Sequence, residues 1–426
     1  MNSLPLSRPS SAPQHATSQI RLDLLEKGFT VVGLLFFTDG LATVVNDSQL
    51  MLKLLRYSIL LLSVLLLTAR WRGTLRAISK GGVLWVLIGL MLGSIAWSIS
   101  PDYTLESIRG EILPMTAFAI YVASRFTLRE QLRLFAIALS TGAVLSFVYA
   151  MAIPSVGRHI GDKFDGAWKG IYVQKNQFSA VMVFTMMTFF VLGANNSNRI
   201  ERWLARLGLM FSVSMILLST SLAGLLVFIV ILSCLTLFRL FRWRGFRSVL
   251  LLDLSGMLAL CLAVLLLGTW QDLAVGLGKD PTLSARTHIW SGSIDKIMDR
   301  PILGYGRAAF WVPNNPKARE IGALASKGDF IPAHAHNGFL DLAIDQGLLG
   351  LGLFLIGYIS TFLMAVRCAY QAKTPEDLWP LAFLILLCMN NLAETNMAVR
   401  TSLHWVTYMI VFLSMRLLPR QALEVD

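Results

Sequence analysis

The sequence predicts an all-α polytopic membrane protein with about twelve transmembrane helices. Three observations carry that expectation. Hydrophobic residues fill 55% of the 426 positions and charged residues only 15%, more apolar surface than a soluble domain can hide. Apolar runs long enough to cross a hydrocarbon core of about 30 Å recur along the whole chain. Basic residues gather at every second connection between those runs.

In chain order, residues 1–19 are rich in Ser and Pro and lack a basic-then-apolar signal pattern, so they are expected to be a disordered cytoplasmic tail. Residues 20–426 are then one transmembrane domain. Its spans are expected near 28–45, 54–69, 82–99, 110–124, 133–153, 177–193, 204–219, 222–238, 249–268, 339–366, 378–393 and 402–418. With the N-terminus inside, the inner connections carry Arg70, Arg72, Arg76 and Lys80, then Arg125, Arg129 and Arg133, then Arg199, Arg202 and Arg206. Arg239, Arg242, Arg244 and Arg247 follow, then Arg367 and Lys373, with Arg416 and Arg420 at the C-terminal end. Basic flanks hold a loop on the cytoplasmic side, which places both termini there.

The opposite face, periplasmic or extracellular, has mostly acidic or neutral connections, as with Asp102, Glu106 and Glu111. Two connections depart from that trend. The stretch 154–177 carries Arg158, His159, Lys163, Lys169 and Lys175, and the long loop 269–337 exceeds what joining two helices requires. Lys53, Arg56, Arg109 and Arg400 fall near the same face, and cations kept outside are expected to bind something anionic. Within the long loop, 284–298 reads as an amphipathic helix on the outer membrane surface. Ile289, Trp290, Ile294, Ile297 and Met298 share its apolar face, Pro301 stops it, and the turn Gly304-Tyr305-Gly306 follows.

The net charge of +12 is dispersed in short clusters rather than one stripe, which argues against nucleic acid and for anionic lipid. Cys234, Cys261, Cys368 and Cys388 lie in or beside apolar runs without paired spacing, so they read as small apolar filler. There is no GxxxxGK[ST], HExxH, CxxC or GxSxG stretch, which leaves ATP-driven transport, zinc hydrolysis and esterase chemistry as poor fits.

What remains is the junction Ala333-His334-Ala335-His336-Asn337-Gly338, a polar run that enters the apolar segment 339–366. Ionisable groups at a membrane boundary are costly and tend to be functional. A histidine can take a proton from a hydroxyl, and fixed cations can stabilise a leaving phosphate. Together with acidic groups such as Asp341, Asp345 and Glu394, these groups suit transfer from a lipid-linked pyrophosphate.

The runs Ser284-Ala285-Arg286-Thr287-His288-Ile289-Trp290, Arg300-Pro301-Ile302-Leu303-Gly304-Tyr305-Gly306 with Phe310-Trp311, and Ala333 to Asp341 resemble the O-antigen ligase and Wzy-type polymerase superfamily. Gly347-Leu348-Leu349-Gly350, Asn391-Leu392-Ala393-Glu394 and Gly170-Ile171-Tyr172-Val173-Gln174-Lys175-Asn176 fit the same pattern, which is most like the ExoQ-like exopolysaccharide branch. The core resemblance covers residues 205–356. It implies a glycosyltransferase of GT-C type in the bacterial inner membrane, acting at the periplasmic face on an undecaprenyl-pyrophosphate-linked glycan donor.

The resemblance also implies residue roles. His336, beside Asn337, is the expected catalytic group, and Arg286 is expected to hold the donor pyrophosphate. The family commonly has Arg or Lys after a Ser between the seventh and eighth spans, where this chain reads Ser219-Thr220-Ser221-Leu222-Ala223. Lys175 is the first candidate to supply the missing cation, with Arg158 and Arg109 behind it. Asp341, Glu394, His334 and Asn337 are candidates to orient His336 or bind the acceptor. No metal or other cofactor is expected, because fixed cations supply the charge that magnesium supplies elsewhere.

Plainer readings stand beside these. His336 and Asn337 can serve only to cap the helix, Arg286 to touch a lipid headgroup, and Glu394 to pair with Arg400. Trp290 and Trp311 read mainly as packing, His159 as loop surface, and His404 has no assigned role. For function, polymerisation of exopolysaccharide repeats comes first and ligation onto a lipid A-core acceptor second. A transporter or flippase for lipid-linked sugars is third. Membrane lipid is an expected partner, with a flippase and a chain-length regulator as possible neighbours.

Overall fold

Helix Leu403–Leu417 is apolar on every side and buried from 403 to 415, as a helix enclosed by others must be. It packs against Leu113–Arg125, Trp379–Ala393 and Gly338–Tyr370. A second group gathers around Lys175–Gly193, which contacts Leu128–Ala152, Arg199–Leu218, Leu222–Phe241 and Trp379–Ala393. Phe184, Phe135 and Trp379 join the two groups, with ring centroids 5.0 to 5.7 Å apart. This computed structural model describes residues 12–162, 164–194, 198–241, 286–325, 330–371, 375–397 and 401–418, and every regular element among them is helical.

Four helices, Gln49–Ala69, Leu128–Ala152, Lys175–Gly193 and Gly338–Tyr370, are long and apolar enough to cross a membrane. Trp71–Ser79 and Val83–Ala96, bent by 91°, make a fifth if the pair is one span. Each expected span overlaps a described helix except 249–268, which lies outside the described residues. The first helix begins at Ala12, not after residue 19 as the composition suggested. Extending an anchored helix costs far less than nucleating one, so a weakly helical segment follows its neighbour. Residues 1–11 lie outside the described residues.

Among the described residues, the basic groups around Arg70, Arg125 and Arg133 are tied together by ion pairs at one end. Glu26, 3% exposed, accepts from Arg70 and Arg125, while Arg133 pairs with Glu201 at 3.1 Å. Arg72 and Arg76 lie on helix Trp71–Ser79, which buries Thr74 and Ala77 and exposes Trp71, Leu75 and Ile78. The His334–His336 junction sits at the opposite end.

The long helix Gly338–Tyr370 breaks at Gly347, where φ is 67° and ψ is −175°. A break orphans backbone groups that must find partners elsewhere. The loop after Arg300 supplies them: Tyr305 and Gly306 amides donate to the Ile344 and Asp345 carbonyls, each at 2.9 Å. The Leu348 amide donates to the Pro301 carbonyl at 2.6 Å. Two glycines permit the approach. A Cβ on Gly347 would stand 2.1 Å from the Ile302 oxygen, and one on Gly304 would stand 2.4 Å from the Ile344 oxygen. Gly347→Ala is therefore expected to cost more than the roughly 1–3 kcal/mol of backbone strain alone. A large fall in the melting temperature of detergent-purified protein would register it, and an unchanged value would contradict this account of the break.

Arg307, directly after that turn, is 4% exposed and clamps three elements. It reaches Asp345 at 2.8 Å and Glu111 at 2.9 Å, and its carbonyl accepts from Thr104 at 2.8 Å. A buried guanidinium holds only where carboxylates meet it, and here two do.

The expected loop helix forms as Arg286–Asp299, with Ser284 outside the described residues, but its buried face differs. Ile289, Gly292, Ser293 and Ile297 face inward, and Gly292 lets Ile321 of helix Pro316–Ala325 approach. Ile294 and Met298 are 50% and 65% exposed. The apolar residues thus split between protein and outside, because a companion helix in the same loop takes one side.

Candidate active site at the Glu394 junction

The loop before the long helix is held residue by residue. Asp341, 6% exposed, accepts from the Ala335 amide at 3.0 and 3.1 Å, from Trp311 Nε1 at 2.7 Å and from the Thr395 hydroxyl. Trp290 Nε1 donates to the Ala335 carbonyl at 3.0 Å. Asn337 caps the helix, its Oδ1 accepting from the Phe339 and Leu340 amides at 3.0 and 3.2 Å, as its residue type favours. Between these anchors His336 adopts φ 53°, a left-handed conformation in which histidine is over-represented. Its amide donates to His334 Nδ1 at 3.1 Å, and the two rings meet edge to face with centroids 4.3 Å apart.

Glu394 ends helix Trp379–Ala393 and joins the remaining parts. One oxygen accepts from Arg286 at 2.5 Å and from Asn176 Nδ2 at 3.0 Å, and the other meets His336 Nδ1 at 2.9 Å. Asn176 in turn accepts from the Ser221 hydroxyl at 2.8 Å. Burial raises the Glu394 carboxyl, but the hydrogen bond and charge of His336, with Arg286 and His334, outweigh it and hold the group at about 2. An ionised carboxylate only accepts, so the ring proton facing it sits on His336 Nδ1, and a neutral ring held this way presents its Nε2 lone pair to a substrate hydroxyl.

Lys175, 8% exposed, reaches the Ser219–Ser221 turn. Its Nζ donates to the Thr220 carbonyl at 3.2 Å and lies 4.3 Å from the Phe164 ring centroid. Its amide donates to His159 Nε2 at 3.3 Å, and His159 Nδ1 is 2.7 Å from Asp162. His159 is thus an internal support, 8% exposed, and not loop surface, because the turn folds back over helix Lys175–Gly193.

The structure therefore brings together His336, His334, Arg286 and Glu394, anchors them through Asp341 and Asn337, and sets Lys175 next in sequence to Asn176. Arg158 is elsewhere, donating to the Ala150 carbonyl at 2.9 Å and stacking over Trp168 at 5.1 Å. Trp168 pairs across an isolated bridge with Arg158 itself, which turns that side chain onto its own hairpin. Arg109 is exposed on the π-helical turn Ile108–Ile112 and has no contact with Glu394 or His336. The pairing of Glu394 with Arg400 lies outside the described residues. Sequence reasoning missed Asn176, Ser221, Thr395 and Arg307 as parts of the site or its frame. Asn176 closes a quoted motif and Arg307 follows one, which is the signal that could have found them.

His334, His336 and Glu394 offer three ligand atoms within 4.8 Å of one another, a set that could hold a metal ion. Arg286, 2.5 Å from Glu394, places a fixed positive charge beside it and opposes a second cation.

Residues 207–355 match the Wzy_C family model, O-antigen ligase. They carry a domain of that family. The chain is 23% identical to the exopolysaccharide production protein ExoQ of Rhizobium meliloti, over 79% of this chain and 78% of that one. It is 26% identical to a protein of Rickettsia prowazekii named as a polysaccharide ligase, over 44% of this chain and 45% of the relative. A like-named protein of Rickettsia conorii is 35% identical over 20% of this chain and 21% of its own length. The O-antigen ligase domain contains the Ser219–Ser221 turn, Arg286, His336 and Asp341, whereas Lys175, Asn176 and Glu394 join it from outside.

Proposed function

We propose that this protein is a glycosyltransferase of the GT-C type in the bacterial inner membrane. It polymerises undecaprenyl-pyrophosphate-linked oligosaccharide repeats into an exopolysaccharide or related surface glycan. In this reading residues 20–426 form one domain of about twelve spans, with cytoplasmic termini and the His336 end periplasmic. The observation that carries it is the meeting of His336 and Arg286 on the two oxygens of Glu394. A base with a free Nε2 beside a cation fork is what attack on a lipid-linked sugar needs.

The steps follow from the chain's own groups. His336 Nε2 takes the proton of an acceptor sugar hydroxyl as its oxygen attacks the anomeric carbon, and the glycosidic C–O bond to pyrophosphate breaks with inversion. Arg286 meets the departing phosphate as a planar fork and Lys175 as a point charge. Lys175→Gln is expected to slow transfer about tenfold or more by removing one charge stabiliser, with Lys175→Arg recovering part of it. An unaltered rate in Lys175→Gln would remove Lys175 from the site.

Two acceptors fit this chemistry, a growing glycan or lipid A-core. The glycan profile of a deletion strain separates them, since loss of a polymerase leaves single repeats whereas loss of a ligase leaves long chains on the lipid carrier. Purified protein mixed with lipid-linked donor tests the class, because a transporter or flippase forms no new glycosidic bond.

A further inference from the structure

Three cations at the His336 end of the bundle are not used by the site. Lys53 and Arg56 stand near the start of helix Gln49–Ala69, and Arg109 on the turn Ile108–Ile112. Helix and turn touch where Arg56 crosses Gly110, since a Cβ there would stand 3.0 Å from Arg56 Nη1. Arg56 Nε is buried at this crossing with no hydrogen-bond partner. Lys53 and Arg109 are exposed, and among the described residues none of the three has a carboxylate partner. The nearest acid in sequence to Arg109, Glu111, is taken by Arg307 at 2.9 Å and by Ser107 at 2.5 Å.

Simple snorkelling of long side chains explains exposed cations but not a buried, unsatisfied guanidinium nitrogen, which is costly to leave without an acceptor. The surroundings say where the acceptor comes from. Leu50, Leu54 and Leu61 of the same helix are 60–68% exposed, an apolar face that meets lipid tails. Lys53 and Arg56 stand in the first two turns of this helix, where long cationic side chains can reach the headgroup level.

We propose that Lys53, Arg56 and Arg109 form a binding site for the phosphate-bearing headgroup of a membrane lipid, additional to the Arg286 site. Two sources share this chemistry. One is an ordinary anionic phospholipid. The other is a second polyprenyl pyrophosphate, an assignment that rests on the polymerase reading, because joining two lipid-linked glycans requires two pyrophosphates to be held at once.

Native mass spectrometry of the full chain, titrated with undecaprenyl pyrophosphate or with phosphatidylglycerol, distinguishes them. Wild type is expected to bind one more headgroup than Arg56→Gln/Arg109→Gln, or to lose about tenfold in affinity in that variant, the size expected for removing charge-assisted contacts. A loss confined to undecaprenyl pyrophosphate assigns the site to a lipid-linked substrate, and a loss for both lipids assigns it to phospholipid headgroups. Equal binding of both lipids by variant and wild type overturns the site. Should the double variant fail to fold, Lys53→Gln, at an exposed position, is expected to weaken binding several-fold, and unchanged binding there overturns it equally. Binding is read without turnover, so a wild type that makes no glycosidic bond would sink the polymerase reading and leave this site standing.

Discussion

His336→Ala is expected to reduce glycan transfer by purified protein by about 10²–10⁴-fold, the range spanned by a positioned general base. The size follows from what the site holds in reserve. Glu394 lies behind the ring, on Nδ1 and not at the position of Nε2, and its other oxygen is held by Arg286 and Asn176. His334 lends its Nδ1 to the His336 amide, so it is not placed to take over. Arg286→Ala is expected to lose about 10²–10³-fold by a different route, the loss of charge stabilisation on the leaving phosphate. Both side chains are partly exposed, at 28% and 17%, and neither belongs to the apolar core, so membrane levels of the two variants should match wild type. Product formation from a lipid-linked donor, with immunoblotting for protein level, is the measurement. A near-wild-type rate in either variant would remove that residue from the proposed chemistry.

Much of this arrangement was legible in the sequence, for reasons that differ between residues. The helices could be read because apolar runs mark them, although among the described residues only four are long and apolar enough to cross a membrane, or five if one bent pair is a single span. The His336 loop could be read because a polar, histidine-bearing stretch against a long apolar helix has few structural excuses. Lys175 shows a subtler case. A missing cation at Ser219–Ser221 implied a substitute, and Lys175 Nζ lies on Thr220 from 45 residues away in sequence. What the sequence concealed were contacts set by close backbone approach. Nothing in local pattern says that Gly347 breaks its helix so that residues 301–306 can dock there, or that Arg307 then finds Glu111 and Asp345. The face of Arg286–Asp299 was hidden for a similar reason, since its partner helix Pro316–Ala325 is a product of the loop's own fold. Arg158 is a different case: its charge suggested a phosphate contact, but its side chain stacks on Trp168 of its own hairpin.

Glu394→Gln is expected to cost nearly as much as loss of His336, although it changes a single atom. The amide oxygen can still accept from Arg286 and Asn176, leaving an NH₂ facing His336 Nδ1. That donor forces the proton onto Nε2, and the base then faces the substrate hydroxyl in its wrong tautomer. In a serine-protease triad the same carboxylate-to-amide exchange lowers kcat about 10⁴-fold. The pH dependence separates this from general damage. The carboxyl of Glu394 is held at about 2, below its ordinary 4.5, so its contribution to stability is fully present above about 4.5 and is lost as pH falls toward about 2. The gap in melting temperature between wild type and Glu394→Gln should therefore not narrow between about pH 8 and 5 and should shrink only below about 4.5. A gap that already narrows between about pH 8 and 6 would mean that Glu394 is not held ionised by His336 and Arg286. The tautomer argument would then lose its footing, because a protonated carboxyl could donate to Nδ1 and leave Nε2 carrying the proton even in the unaltered protein.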